Sequence, residues 1–186
     1  MAARRRILAG VAVLVTLLSL VACSKAVPYD DSASTGALAL VDQNGKAVTT
    51  GSVNDKPFVR AAVSLVKAPS PYDKPGRKAA LMAFQPRKGV SPALWGGDFM
   101  TGSTTYENPN FPTAHGTDED ISLANFIAEF PPQWNGMIQL RIYLGAPQEP
   151  GLTSSYVTAD IKVSGDTWTL VRGSSELPAG ATGGGS

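Results

Sequence analysis

Residues 137–144 read MIQLRIYL, and residues 156–163 read YVTADIKV. In the first, Ile138, Leu140, Ile142 and Leu144 alternate with Gln139, Arg141 and Tyr143. In the second, Val157, Ala159, Ile161 and Val163 alternate with Tyr156, Thr158, Asp160 and Lys162. Successive side chains of a strand point to opposite sides, so period two predicts strands with one face in a core and the other in water. Phe58–Lys67 repeats the pattern, with Val59, Ala61, Val63 and Leu65 opposite Arg60 and Ser64.

Working outward, Ala37–Val41 is a short apolar run followed by Asn44-Gly45, a hairpin signal because both residue types tolerate positive φ. Ala79–Phe84 is apolar on both faces and predicts a central or covered strand. Ser164-Gly165-Asp166 predicts a turn from the second quoted strand into Thr167–Val171. Residues 121–130 carry two patterns. Leu123, Phe126, Ile127 and Phe130 fall at helical spacing, with Thr117 and Asp120 placed to cap. Phe126, Ala128 and Phe130 also alternate, and Pro131-Pro132 closes the segment; the strand is the preferred reading. The sum predicts an all-β fold, an immunoglobulin-like β-sandwich of about seven strands with one long irregular loop; the alternative architecture is an open β-barrel or half-barrel with a helix. The Cys and Trp markers of true immunoglobulin domains are missing.

That loop spans residues 86–120, about 35 residues, a length that is usually functional or disordered. It carries Trp95, Phe99, Tyr106 and Phe111 among Gly89, Gly96, Gly97 and Gly102, and a short strand is expected near residues 98–101. Rings on glycine-flanked loops make binding surfaces, so these four aromatics are the candidate ligand-binding residues. The competing reading folds them inward as a cap on the domain.

The N-terminus carries Arg4, Arg5 and Arg6, then an apolar run from Ile7 to Leu20, then Val21-Ala22-Cys23. A basic flank, a short apolar stretch and a small-residue junction have the layout of a secretory signal, and the run is short for a membrane span. The segment Leu20-Val21-Ala22-Cys23 resembles the lipobox of bacterial lipoproteins. That resemblance implies a diacylglyceryl group on Cys23, the new N-terminus after cleavage. Two acyl chains hold a protein stably where one does not, so the expected location is the extracytoplasmic face of the cell membrane. The paired arginines loosely resemble a twin-arginine export signal, and the sequence leaves the route open.

The expected organisation is a lipoprotein signal peptide at 1–22, a lipidated N-terminus and flexible tether at 23–35, a surface domain at 36–172 and a flexible tail at 173–186. Cys23 is the single cysteine, so no intrachain disulfide can form. The net charge is +1 and the basic residues are scattered beyond the n-region, which argues against nucleic acid as a partner. The one histidine, His115, sits in PTAHG, unlike a nucleophile elbow. The acidic run Thr117-Asp118-Glu119-Asp120 lacks the spacing of a calcium loop. No cofactor, metal site or catalytic residue is expected. The sequence therefore predicts a non-catalytic, lipid-anchored binding or interaction module. Its partners would be the membrane, through Cys23, and an envelope protein or glycan. The alternatives are a carrier of an apolar small molecule or lipid, for which residues 121–130 would be helical, and an envelope-polymer hydrolase.

Overall fold

The structure is a computed structural model that describes residues 27–181. The signal-like segment, Cys23 and residues 182–186 lie outside the described residues. The chain folds as eleven strands in one hydrogen-bonded network, with one α-helix among the described residues. The strands are β1 (Ser34–Val41), β2 (Ala47–Val48), β3 (Thr50–Ser52), β4 (Ala61–Ser64), β5 (Lys78–Phe84), β6 (Gly97–Phe99), β7 (Thr104–Thr105), β8 (Thr113–His115), β9 (Met137–Gly145), β10 (Leu152–Ser164) and β11 (Thr167–Arg172). The helix, α1, is Leu123–Glu129.

The backbone path through the network is β6-β5-β9-β10-β1-β4-β8. β5, β9 and β10 run antiparallel in long register, from Met82↔Arg141 to Ile161↔Ile138. β1 belongs to two ladders. Its first half pairs parallel with β10 through Ser34↔Tyr156 and Ala37↔Thr158, and its second half pairs antiparallel with β4 from Leu38↔Ser64 to Val41↔Ala61. A register shift between Ser34 and Ala37 interrupts the β10 ladder, and β1 passes to β4 at Leu38. Such irregularities bend a strand and raise its local twist.

The alternating residues of the two quoted stretches build the main core. Ile138, Leu140, Ile142, Ala159 and Ile161 pack with Leu81 and Ala83 of β5, Leu38 and Leu40 of β1, and Leu123 and Phe126 of α1. The hairpin at Asn44-Gly45 forms, with Gly45 at φ +75° and Val41 paired to Ala47. Gly51 of β3 faces Trp168 of β11, and the fully buried indole lies flat against it.

Several expectations change. Residues 121–130 are helical at Leu123–Glu129 rather than extended. The cap is Ser122, whose hydroxyl accepts from Asn125 N–H at 3.2 Å while Asn125 Oδ1 accepts from Ser122 N–H at 3.2 Å. This reciprocal box stabilises the first turn, and the helix seats Leu123 and Phe126 in the core. Thr117 and Asp120 instead close a loop turn, with Asp120 Oδ2 accepting from Thr117 N–H at 2.7 Å. The strand expected over Phe58–Lys67 shortens to Ala61–Ser64. The stretch read as a tether packs against the sheet from Val27 onward and enters β1 at Ser34. The tail is also engaged, for Leu177 and Ala181 lie against Val41, Ala61 and Val63.

A further change concerns the polar faces of β9 and β10. They were expected to meet water, but Gln139, Arg141, Thr158 and Asp160 are all buried. Residues 27–33 and the Trp95 loop lie over them. Tyr29, Phe84, Trp95 and Met137 form a second apolar cluster there, with Val27, Val90 and Trp134 packed around it.

Candidate functional site

Two neighbouring features meet at the start of β1. One is an apolar cleft and the other a buried charged cluster beneath residues 27–33.

The cleft has a volume of about 260 Å³. Ile142 and Leu144 of β9 and Leu152 and Val157 of β10 line its interior. Val66, Pro69 and Pro112 supply further apolar lining, with Lys67 and Ser155 among the polar groups. It opens where β1 leaves β10 for β4 and where the β9–β10 register shifts between Leu152 and Val157. Residues of both irregular stretches, Thr35, Ser155 and Tyr156, are among its lining. A cavity of roughly 150 Å³ takes benzene when its walls are apolar, so this cleft has room for an aromatic ring or a short acyl segment.

The charged cluster begins with Arg141, which is 1% exposed. Its guanidinium lies between the rings of Phe84 and Tyr156, 4.0 and 4.3 Å from their centroids. Arg141 Nε donates to Gln139 Oε1 at 2.7 Å and Nη2 to the Pro92 carbonyl at 3.0 Å. Its anionic partner is Asp31, 3.7 Å away and equally buried. Tyr156 O–H donates to the same carboxylate at 3.1 Å. A second ion pair joins Arg172 Nε to Asp160 Oδ2 at 2.5 Å, and Tyr29 O–H donates to Asp160 Oδ1.

Burial raises the Asp160 carboxyl above its ordinary range, against the opposing pull of Arg172. Burial, reinforced by Asp160, also raises the Tyr29 hydroxyl, and burial raises that of Tyr156. These groups stay engaged with one another, and both phenols remain protonated donors. The arrangement latches residues 27–33 onto the sheet, and Tyr156 links it to the cleft because its ring also lines that space.

The four loop aromatics are not brought together. Trp95 is buried, its ring 4.8 Å from that of Tyr29 and its indole N–H donating to the Val90 carbonyl at 3.0 Å. Tyr106 is also buried, donating to the Tyr72 carbonyl, and burial pushes its hydroxyl up to about 12. Phe111 is half-buried against Val41, Ala61 and Val63. Phe99 alone among them presents its ring to solvent, at 54% exposure on the edge strand β6. The inward reading therefore describes Trp95 and Tyr106, because a loop of this length needs its own apolar contacts. The cleft residues were missed as a set, since they come from distant parts of the chain and each reads as ordinary core. The one available signal was residues 145–155, which break period two between the quoted strands.

His115 belongs to β8, where its N–H donates to Thr104 Oγ1 at 3.1 Å. Burial and Arg60 lower its pKa, with Glu107 opposing. Asp120 Oδ1 accepts from Gly102 N–H at 2.8 Å, so both its oxygens are used in loop structure. Among the described residues no three His, Cys, Asp or Glu side chains group as metal ligands, and no helix is long and apolar enough to cross a membrane. Cys23 lies outside the described residues. No protein-family model, no curated protein and no solved structure matches this chain.

Proposed function

We propose that this protein is a lipid-anchored, non-catalytic binding domain of the cell surface, and that its ligand places an apolar group in the cleft beside β1. The observation that carries the reading is the cleft itself. Its walls are apolar, it opens on the main core, and it lies at a built-in change of strand partner. Small-molecule sites are concave and mostly apolar with a few polar groups at the rim, and Lys67 and Ser155 are such groups here. The two ladders that share β1 support an immunoglobulin-like sandwich as the scaffold, with the cleft at one end of its core. The anchor rests on the likeness of Leu20–Cys23 to a lipobox.

The test is fluorescence titration with N-phenyl-1-naphthylamine, an uncharged apolar probe. Saturable enhancement that Ser155→Trp abolishes would support the reading, because Ser155 lies at the cleft and a large ring there closes it. A wild-type protein that gives no saturable signal, or a folded Ser155→Trp variant that binds equally well, would sink it.

A further inference from the structure

We infer that the face covered by residues 27–33 lies against the bilayer, with Leu94 inserted among the lipids and Arg87 and Lys88 against anionic headgroups. The inference rests on the lipid-anchor reading above and adds an orientation to it. Val27, the first described residue, packs against the apolar cluster of Tyr29, Phe84, Trp95 and Met137. Only residues 24–26 separate it from Cys23, and a fully extended chain covers at most about 3.6 Å per residue. An anchor at Cys23 therefore holds Val27 within about 15 Å of the lipid-bearing residue, and nothing remains of a long spacer.

The same face presents what an interface requires. Leu94 is 73% exposed, the most exposed large apolar residue among the described ones, and it adjoins Trp95, whose ring packs on Tyr29. The Pro92 carbonyl holds this turn down on Arg141, so Leu94 stands on a fixed support. Phe99 is the second most exposed and pairs with Met82 of β5, whose side chain packs on the same cluster. Directly opposed residues of an antiparallel pair share a face, so the Phe99 ring lies on the side of this cluster. Arg87 and Lys88 are exposed in the loop that leads to Val90, which packs in the cluster beside Val27. Apolar side chains flanked by basic ones on one face are the composition of an interfacial contact, and basic residues near the surface are attracted to anionic lipid.

The test uses the full, lipidated protein in phosphatidylcholine–phosphatidylglycerol vesicles that contain brominated acyl chains. Acylation occupies the Cys23 sulfur, so Leu94→Cys or Asn44→Cys supplies a single thiol for a fluorescent label. Asn44 sits in the exposed turn at the far end of β1. Quenching at position 94 but not at 44, reduced when R87E and K88E are added, is the expected result. Equal quenching at both positions, or none at either while the protein floats with the vesicles, overturns the orientation and leaves the anchor standing. A wild-type protein that does not float with the vesicles overturns the anchor and the orientation together.

Discussion

Arg141 shows how much a single side chain organises. A guanidinium this buried loses its hydration, and Asp31, Gln139, the Pro92 carbonyl and two aromatic faces replace it. Removing one member of a buried pair leaves the other charge uncompensated, at a cost of about 3–5 kcal/mol. Arg141→Met should therefore lower the unfolding free energy by about that amount in denaturant titration. The double variant Arg141→Met with Asp31→Asn should recover much of the loss, because no lone charge remains. His115 carries a smaller, pH-dependent effect. Its folded pKa is depressed by burial and by Arg60, so the unfolded chain takes up the proton first. The stability it protects is complete above about pH 6.5, the ordinary histidine value, and is lost as pH falls below it. Asp160 has the opposite slope, since its raised pKa favours the folded state at acid pH. The difference between wild type and His115→Gln isolates the histidine: denaturation midpoints at pH 7.5 and 5.5 should converge on the acid side.

At the level of elements, α1 and the segment of residues 27–33 are where chain pattern and structure part. The apolar positions of α1 fit helix and strand alike, and the local cap decides between them. Ser122 and Asn125 make reciprocal bonds there, which the Thr117–Asp120 signal masked. Ser122→Ala should cost about 1 kcal/mol by thermal or chemical denaturation, and a larger loss would mean that Ser122 holds more than the helix end. β9 was legible in extent and β10 only from Tyr156 onward, its start at Leu152 falling in a stretch without alternation; the inward face of each was legible, because alternation reports which residues share a side. It does not report what covers the other side. Tyr29 and Asp31 stand in a Ser/Ala/Asp-rich stretch whose composition resembles linker, yet they are the partners of Asp160 and Arg141. A polar residue on a strand is the same letter whether water or a buried aspartate satisfies it. The aromatic loop was legible as ordered and as needing its own core, while the direction of each ring depended on contacts as distant as Tyr29 with Trp95.

For the molecule as a whole, the all-β class followed from patterns local to each strand, whereas the cleft follows from topology. It lies where β1 serves two ladders, a relation between β1, β10 and β4 that no single stretch of chain encodes. The same place joins the cleft to the latch. The ring of Tyr156 lines the cleft, its hydroxyl bonds to Asp31, and its N–H donates to the Ala33 carbonyl at 3.0 Å. A ligand that packs on this ring in its latched position binds more tightly to that state, and linkage then requires that binding strengthen the latch in return. Amide exchange across residues 29–33 should therefore slow when N-phenyl-1-naphthylamine fills the cleft. Asp31→Asn weakens the latch without touching the cleft walls, so it should lower probe affinity by about fivefold, the lower end of ordinary coupling between sites. Unchanged exchange together with unchanged affinity would show the two features to be independent.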